Sequence, residues 1–137
     1  MAEQNWRKFT TLWSPDSYTA DSVEPIMNVA AGTLIGTIIC RTVEVFNGSG
    51  TDAIFELGDD GDVDRYVDGG ELEETSISAA TSQIRAAGAS GGGYVLYRSH
   101  LYTTANTIDV NFTANTAGTR TTGKVAITIY YMRAYPD

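Results

Sequence analysis

Residues 107–131 read TIDVNFTANTAGTRTTGKVAITIYY, and the periodicity of this stretch decides the fold class. Val125, Ile127, Ile129 and Tyr131 alternate with Lys124, Ala126, Thr128 and Tyr130, a period of two that marks a strand with one buried face. Ile108, Val110 and Phe112 alternate in the same way with Thr107, Asp109, Asn111 and Thr113. The intervening ANTAGTRTTG has the composition of a hairpin loop, with glycines able to take positive φ. The pattern predicts an antiparallel hairpin that forms the spine of a sheet.

Working outward, Ile35, Thr37, Ile39, Arg41, Val43 and Val45 fit one face of a long strand, or of two strands meeting near Arg41. Asn47-Gly48-Ser49-Gly50 supplies a turn, after which Ala53, Phe55 and Leu57 face inward on a returning strand, with Glu56 outward. Residues 94–102 (YVLYRSHLY) read as another strand. Residues 5–13 and 22–30 are further candidates, limited in length by Pro15 and Pro25. One stretch, 77–87, is Ala-rich enough for a helix with Gly88 as its stop, and GASGGG then makes a loop. Short strands divided by Gly, Asn and Asp turns predict an all-β chain with a single domain, an antiparallel β-sandwich or a jelly-roll-like barrel. That domain is expected over residues 31–137, preceded by an extended, anchoring segment over residues 1–30.

Composition narrows the function classes. The 137 residues suffice for one core, with 42% hydrophobic and 19% charged residues. Net charge is −8, and the nine basic residues are scattered singly apart from Arg7-Lys8. Phosphate backbones are held by clustered Lys and Arg, so no nucleic acid partner is expected. A membrane partner is not expected either: there is no basic amphipathic helix, and the longest apolar run, Leu34–Cys40, is interrupted by Gly36 and Thr37. The N-terminal MAEQNWRKFTTLW lacks an apolar core of signal-peptide length, which predicts synthesis and residence in a reducing cytosol. Cys40 is the single cysteine, so no intrachain disulfide forms.

Ionisable groups concentrate in residues 54–71, IFELGDDGDVDRYVDGGE. Counting from Asp60 as position 1, Asp62 falls at 3, Asp64 at 5 and Glu71 at 12, which are oxygen-ligand positions of a calcium-binding EF-hand loop. Position 6 of such a loop requires glycine, however, and is Arg65 here; a strand rather than a helix leads in. An acidic turn that uses Asp for local backbone hydrogen bonds accounts for the same residues, and no metal or cofactor is assigned. His100 and Cys40 are the candidates for nucleophilic chemistry, but no motif supports either. GASGGG lacks the Lys-Ser/Thr of a phosphate-binding loop. No catalytic residue is assigned, and no enzyme is expected.

Several of these motifs together resemble a known type of protein. TVEVFNG at 42–48, a strand ending in Leu57-Gly58-Asp59, Tyr66-Val67 within the acidic stretch and a final strand opening on Gly123-Lys124 are similar, in that order, to small virion proteins of tailed bacteriophages. The resemblance covers residues 33–135. It implies an all-β, non-enzymatic component of a particle, on the capsid surface or at a head or tail junction. The expectation is a capsid decoration or head-fibre-base protein, a homotrimer, located in the virion and bound to the major capsid protein or other virion proteins. Trp6, Phe9 and Trp13 are the expected anchors to neighbours. A tail or neck adaptor is the alternative within that class. A carbohydrate-binding module using exposed tyrosines near a calcium-stabilised loop, or a small hydrolase using His100 or Cys40, are the alternatives outside it.

Overall fold

A computed structural model describes residues 5–44, 46–47, 53–71, 84–86, 99–114 and 120–134. Among the described residues nine strands occur, in chain order: β1 (Arg7–Trp13), β2 (Ser22–Val29), β3 (Thr33–Glu44), β4 (Ile54–Asp59), β5 (Asp62–Glu71), β6 (Ile84–Ala86), β7 (His100–Tyr102), β8 (Asn106–Thr113) and β9 (Lys124–Arg133). They form two antiparallel sheets. One has the order β1-β9-β3-β6, with β7 also pairing β3, and the other has the order β2-β8-β4-β5. The sheets pack face to face as a β-sandwich and do not close into a barrel. No helix occurs among the described residues; Ile84–Ala86, inside the stretch considered for a helix, pairs with Ile39–Arg41 as a strand. The rest of that stretch, the GASGGG loop and residues 94–98 of the predicted YVLYRSHLY strand lie outside the described residues.

The two strands that announced the fold are not a hairpin. β8 is flanked by β2 and β4, while β9 is flanked by β1 and β3, so each is a central strand of its own sheet. The alternation does mark the buried faces: Ile108, Val110 and Phe112 are buried, as are Val125, Ile127 and Ile129. Their apolar faces meet across the core instead of lying side by side. Alternation reports that one face is buried; it carries no information about which sheet covers it. β4 likewise pairs β8 and β5, so the predicted return beside β3 is a crossing to the other sheet.

Both crossings are tied together at one end of the sandwich. The Asn47 side chain accepts from the Thr121 and Thr122 amides at 2.8 and 2.9 Å and donates to the Thr121 hydroxyl at 3.0 Å. The Asp21 carboxylate accepts from the Ala114 amide at 2.8 Å. Gly123 has φ +145°, and a Cβ there would overlap the Phe46 ring. Beneath these links Trp13 meets Phe55 edge-on and Phe112 at a tilt, with ring centroids 5.4 and 5.6 Å away.

β3 does not keep one face throughout. Ile35 is buried, but the next inward residues are Ile38 and Cys40, so Ile39, Arg41 and Val43 face outward. The register explains this: Ile35 pairs with Tyr131 and Ile38 with Ile129, which leaves one extra residue on β3. A bulge at residues 36–37 therefore inverts the phase. The 1–30 segment, expected as an extended anchor, supplies β1 and β2, one edge strand for each sheet. Pro25 is accommodated because β2 is an edge.

Candidate functional site

The ionisable residues converge at the other end of the sandwich, around Asp59. β4 ends on this residue, and β5 returns so closely that a Cβ on Gly58 would overlap the backbone of Asp62 and Val63. The Asp59 side chain is turned inward and is 2% exposed. One carboxylate oxygen accepts from the Gly61 and Asp62 amides, both at 3.0 Å, which shapes the turn. The other accepts from Arg65 Nε at 2.7 Å and from the Tyr102 hydroxyl at 2.7 Å. Arg65 Nη2 adds a second, longer bond at 3.3 Å. Tyr66 completes the chain by donating to the Tyr102 hydroxyl at 2.8 Å.

The cluster joins the sheets. Asp59, Arg65 and Tyr66 come from β4 and β5, whereas Tyr102 and His100 come from β7. The His100 ring meets the Tyr102 ring edge-on at 4.6 Å, and its Nδ1 lies 3.3 Å from Arg65 Nη1. Because a guanidinium only donates, Nδ1 must be the unprotonated nitrogen of a neutral imidazole. Burial and the neighbouring Arg65 charge both hold the His100 pKa below its ordinary value. For Asp59, burial works to raise the pKa, but the hydrogen bonds from Arg65 and Tyr102, the Arg65 charge and the Gly61 amide outweigh it, leaving a lowered value. Burial pushes both tyrosine hydroxyls up, so they stay protonated and donate.

This geometry holds a charge; it does not present one. Asp59 has no lone pair directed at open space, and the imidazole nitrogen faces a cation. Cys40 is fully buried, and burial pushes its thiol up to about 12. His100 pairs with Ile35, five residues along β3 from Cys40, so roughly 15 Å of strand separates the two. They form no nucleophile–base pair.

The calcium spacing is not realised either. Asp62 and Glu71 are the two ends of β5 and pair with Asp59 and Ile54, the opposite ends of β4, so about 16 Å of strand separates them at about 3.3 Å per residue. Asp60 accepts from the Asn106 side-chain Nδ2 at 2.6 Å. Arg65, at the position a calcium loop reserves for glycine, supplies the cation itself. No group of three or more metal-ligating side chains occurs among the described residues. The residue that organises the site, Asp59, stands one place before the spacing count began. The clue was Arg65, the lone base among five aspartates.

Of the expected anchors, Trp13 is withdrawn: it is 5% exposed, packed in the core, and its indole nitrogen donates to Glu24 at 3.0 Å. Phe9 packs partly against the core, while Trp6 is 50% exposed over a shallow apolar hollow lined by Gly36, Thr37, Ser99 and Tyr130.

No protein-family model matches the sequence, and no curated protein does. Two solved structures share its fold. A chain of the cyanophage Pam1 capsid asymmetric unit superposes with a TM-score of 0.61 at 17% identity, covering 94% of this chain and 85% of that one. A chain of the acidic stable capsid structure of Helicobacter pylori bacteriophage KHP30 superposes with a TM-score of 0.59 at 9% identity, covering 96% and 95%. At such identities the likeness establishes a common fold: this two-sheet sandwich, across nearly the whole chain, is one that phage capsid structures contain.

Proposed function

We propose that this chain is a structural, non-enzymatic component of a tailed-phage virion, placed on the capsid surface as a decoration or head-fibre-base protein and acting by adhesion between subunits. The observation that carries the reading is the fold likeness to chains of two phage capsid structures over 94% and 96% of this chain. The candidate site agrees with it, since its one buried ion pair and its tyrosines are consumed in holding two sheets together. Adhesion would fall to exposed apolar groups, Trp6, Leu12, Val23, Val43 and Val63, in a homotrimer bound to the major capsid protein or another virion protein. The carbohydrate-binding alternative loses the calcium-stabilised loop on which it relied.

Quantitative mass spectrometry of purified particles of the encoding phage tests this. A copy number comparable to that of the shell protein supports surface decoration. A small fraction of that number moves the chain to the neck or tail, and absence from intact particles refutes the virion role.

A further inference from the structure

We infer that copies of this chain associate head to tail, the β1 margin of one sandwich against the β4–β5 hairpin of the next. The inference rests on the homo-oligomer part of the proposed function and not on its virion part. The two surfaces are complementary. Arg7 and Lys8, the only adjacent basic residues in a chain of net charge −8, are both exposed and have no ion-pair partner among the described residues. They start β1, whose far side carries no strand among the described residues, and Leu12, 59% exposed, lies further along the same strand. The hairpin has the opposite sign: residues 59–65 hold four aspartates and one arginine, and Arg65 is committed to Asp59. At its tip Val63 is 49% exposed between Asp62 and Asp64. Each surface thus combines one exposed apolar side chain with charge, basic on one and acidic on the other.

Their placement suits a head-to-tail contact. β1 is one lateral margin of its sheet, and β6 and β7 are the other; β5, the edge of the second sheet, lies beside β6. One row of paired residues runs Arg7, Tyr131, Ile35, His100 across the sheet, and His100 reaches Arg65 in the hairpin. The basic and acidic surfaces therefore sit at one level along the strands, on opposite sides of the molecule. Copies related by rotation about an axis parallel to the strands would meet at that level without translation. Such a heterologous contact makes a ring where the rotation between successive copies closes and a filament where it does not. Opposite charges also penalise the like-signed pairings, β1 to β1 and hairpin to hairpin.

The test is sedimentation velocity on the purified full chain at low and high salt, with charge-reversal variants. The wild type is expected to be a discrete oligomer at low salt that dissociates near 1 M, where charges are screened beyond about 3 Å. Arg7→Glu/Lys8→Glu and Asp60→Lys/Asp62→Lys should each weaken self-association by roughly a hundredfold or more. The chain carrying all four substitutions should regain it. A monomeric wild type, a salt-insensitive oligomer, or pairwise variants that remain assembled would each overturn the inference. So would failure of the fourfold variant to reassemble while folded by its thermal transition. If a variant does not fold, the salt titration of the wild type decides alone. Absence from particles would refute the virion reading and leave this one standing.

Discussion

Replacing Arg65 by methionine strands the Asp59 carboxylate inside the sandwich while keeping most of the side-chain volume. The loss comprises a 2.7 Å bond from Nε and a 3.3 Å bond from Nη2, both charge-assisted. Removing one member of a buried ion pair costs about 3–5 kcal/mol. Two features lower the figure here. The Arg65 side chain is 25% exposed, so water enters when it leaves, and the Gly61 and Asp62 amides and the Tyr102 hydroxyl still solvate the carboxylate. We expect about 2–3 kcal/mol, or a fall in Tm of roughly 8–10 °C for a chain of this size. The acid dependence carries the sign. The folded pKa of Asp59 lies below its ordinary 3.8, so its stabilisation is complete above that value and is lost as pH falls through the folded pKa. With Arg65 gone the folded pKa rises, and acid neutralises a charge that no longer helps. The stability gap between wild type and variant should therefore narrow as the pH falls through 3.8. Urea titrations at pH 7 and at several points down to pH 3, extended to Asp59→Asn and to the double variant, measure both effects. A loss below about 0.5 kcal/mol at pH 7, or strictly additive single and double variants, would refute the account of a stranded charge.

The remaining expectations concern other links in the fold. Trp13→Ala should cost about 3–5 kcal/mol in urea unfolding, because the ring sits among Phe46, Phe55 and Phe112, whereas Leu12→Ala at the next position of β1 should stay within about 0.5 kcal/mol. Equal effects would contradict the inward assignment of Trp13. Gly123→Ala should destabilise by about 2 kcal/mol or more, since the position combines positive φ with contact against Phe46; an unchanged midpoint would show that the connection relaxes freely. His100 has a depressed folded pKa, so it contributes stability that is complete above its ordinary 6.5 and is lost as pH falls through the folded value. His100→Gln should flatten the stability profile in that window, and an unchanged slope in a thermal scan series would remove His100 from the acid response.

Side-chain periodicity made the strands legible, and register made the rest illegible. β8 and β9 were recognisable because each has an uninterrupted inward row, Ile108-Val110-Phe112 and Val125-Ile127-Ile129. Their pairing was not recognisable, because a strand central to one sheet and a strand of a hairpin carry the same alternation. In β3 one extra residue at the Gly36-Thr37 bulge swaps Ile39 outward and Ile38 inward, and both are isoleucine, so the sequence conceals the inversion. Trp13 was misassigned for a related reason. An aromatic near a chain end suits an interface or a core equally well, and pairing of Trp13 with Val125 is what selects the core.

The acidic stretch illustrates how a ligand count misleads when backbone shape is left out. A calcium loop works because its backbone coils, bringing the first and twelfth positions to one ion. Residues 62–71 instead pair along β4 from Asp59 back to Ile54, and a strand carries its carboxylates away from one another. What remains local is the turn, and there Asp59 already has a counter-ion six residues on. Arg65 can fill that role only because β5 starts at once after Gly61, which brings its guanidinium back over the end of β4. The same short turn leaves Asp60 and Asp62 at the molecular surface with no second arginine nearby in the sequence. One segment thus yields a neutralised charge that fastens the two sheets and an unneutralised surplus that faces outward. The first accounts for stability without catalysis, and the second is the acidic half of the contact inferred between copies.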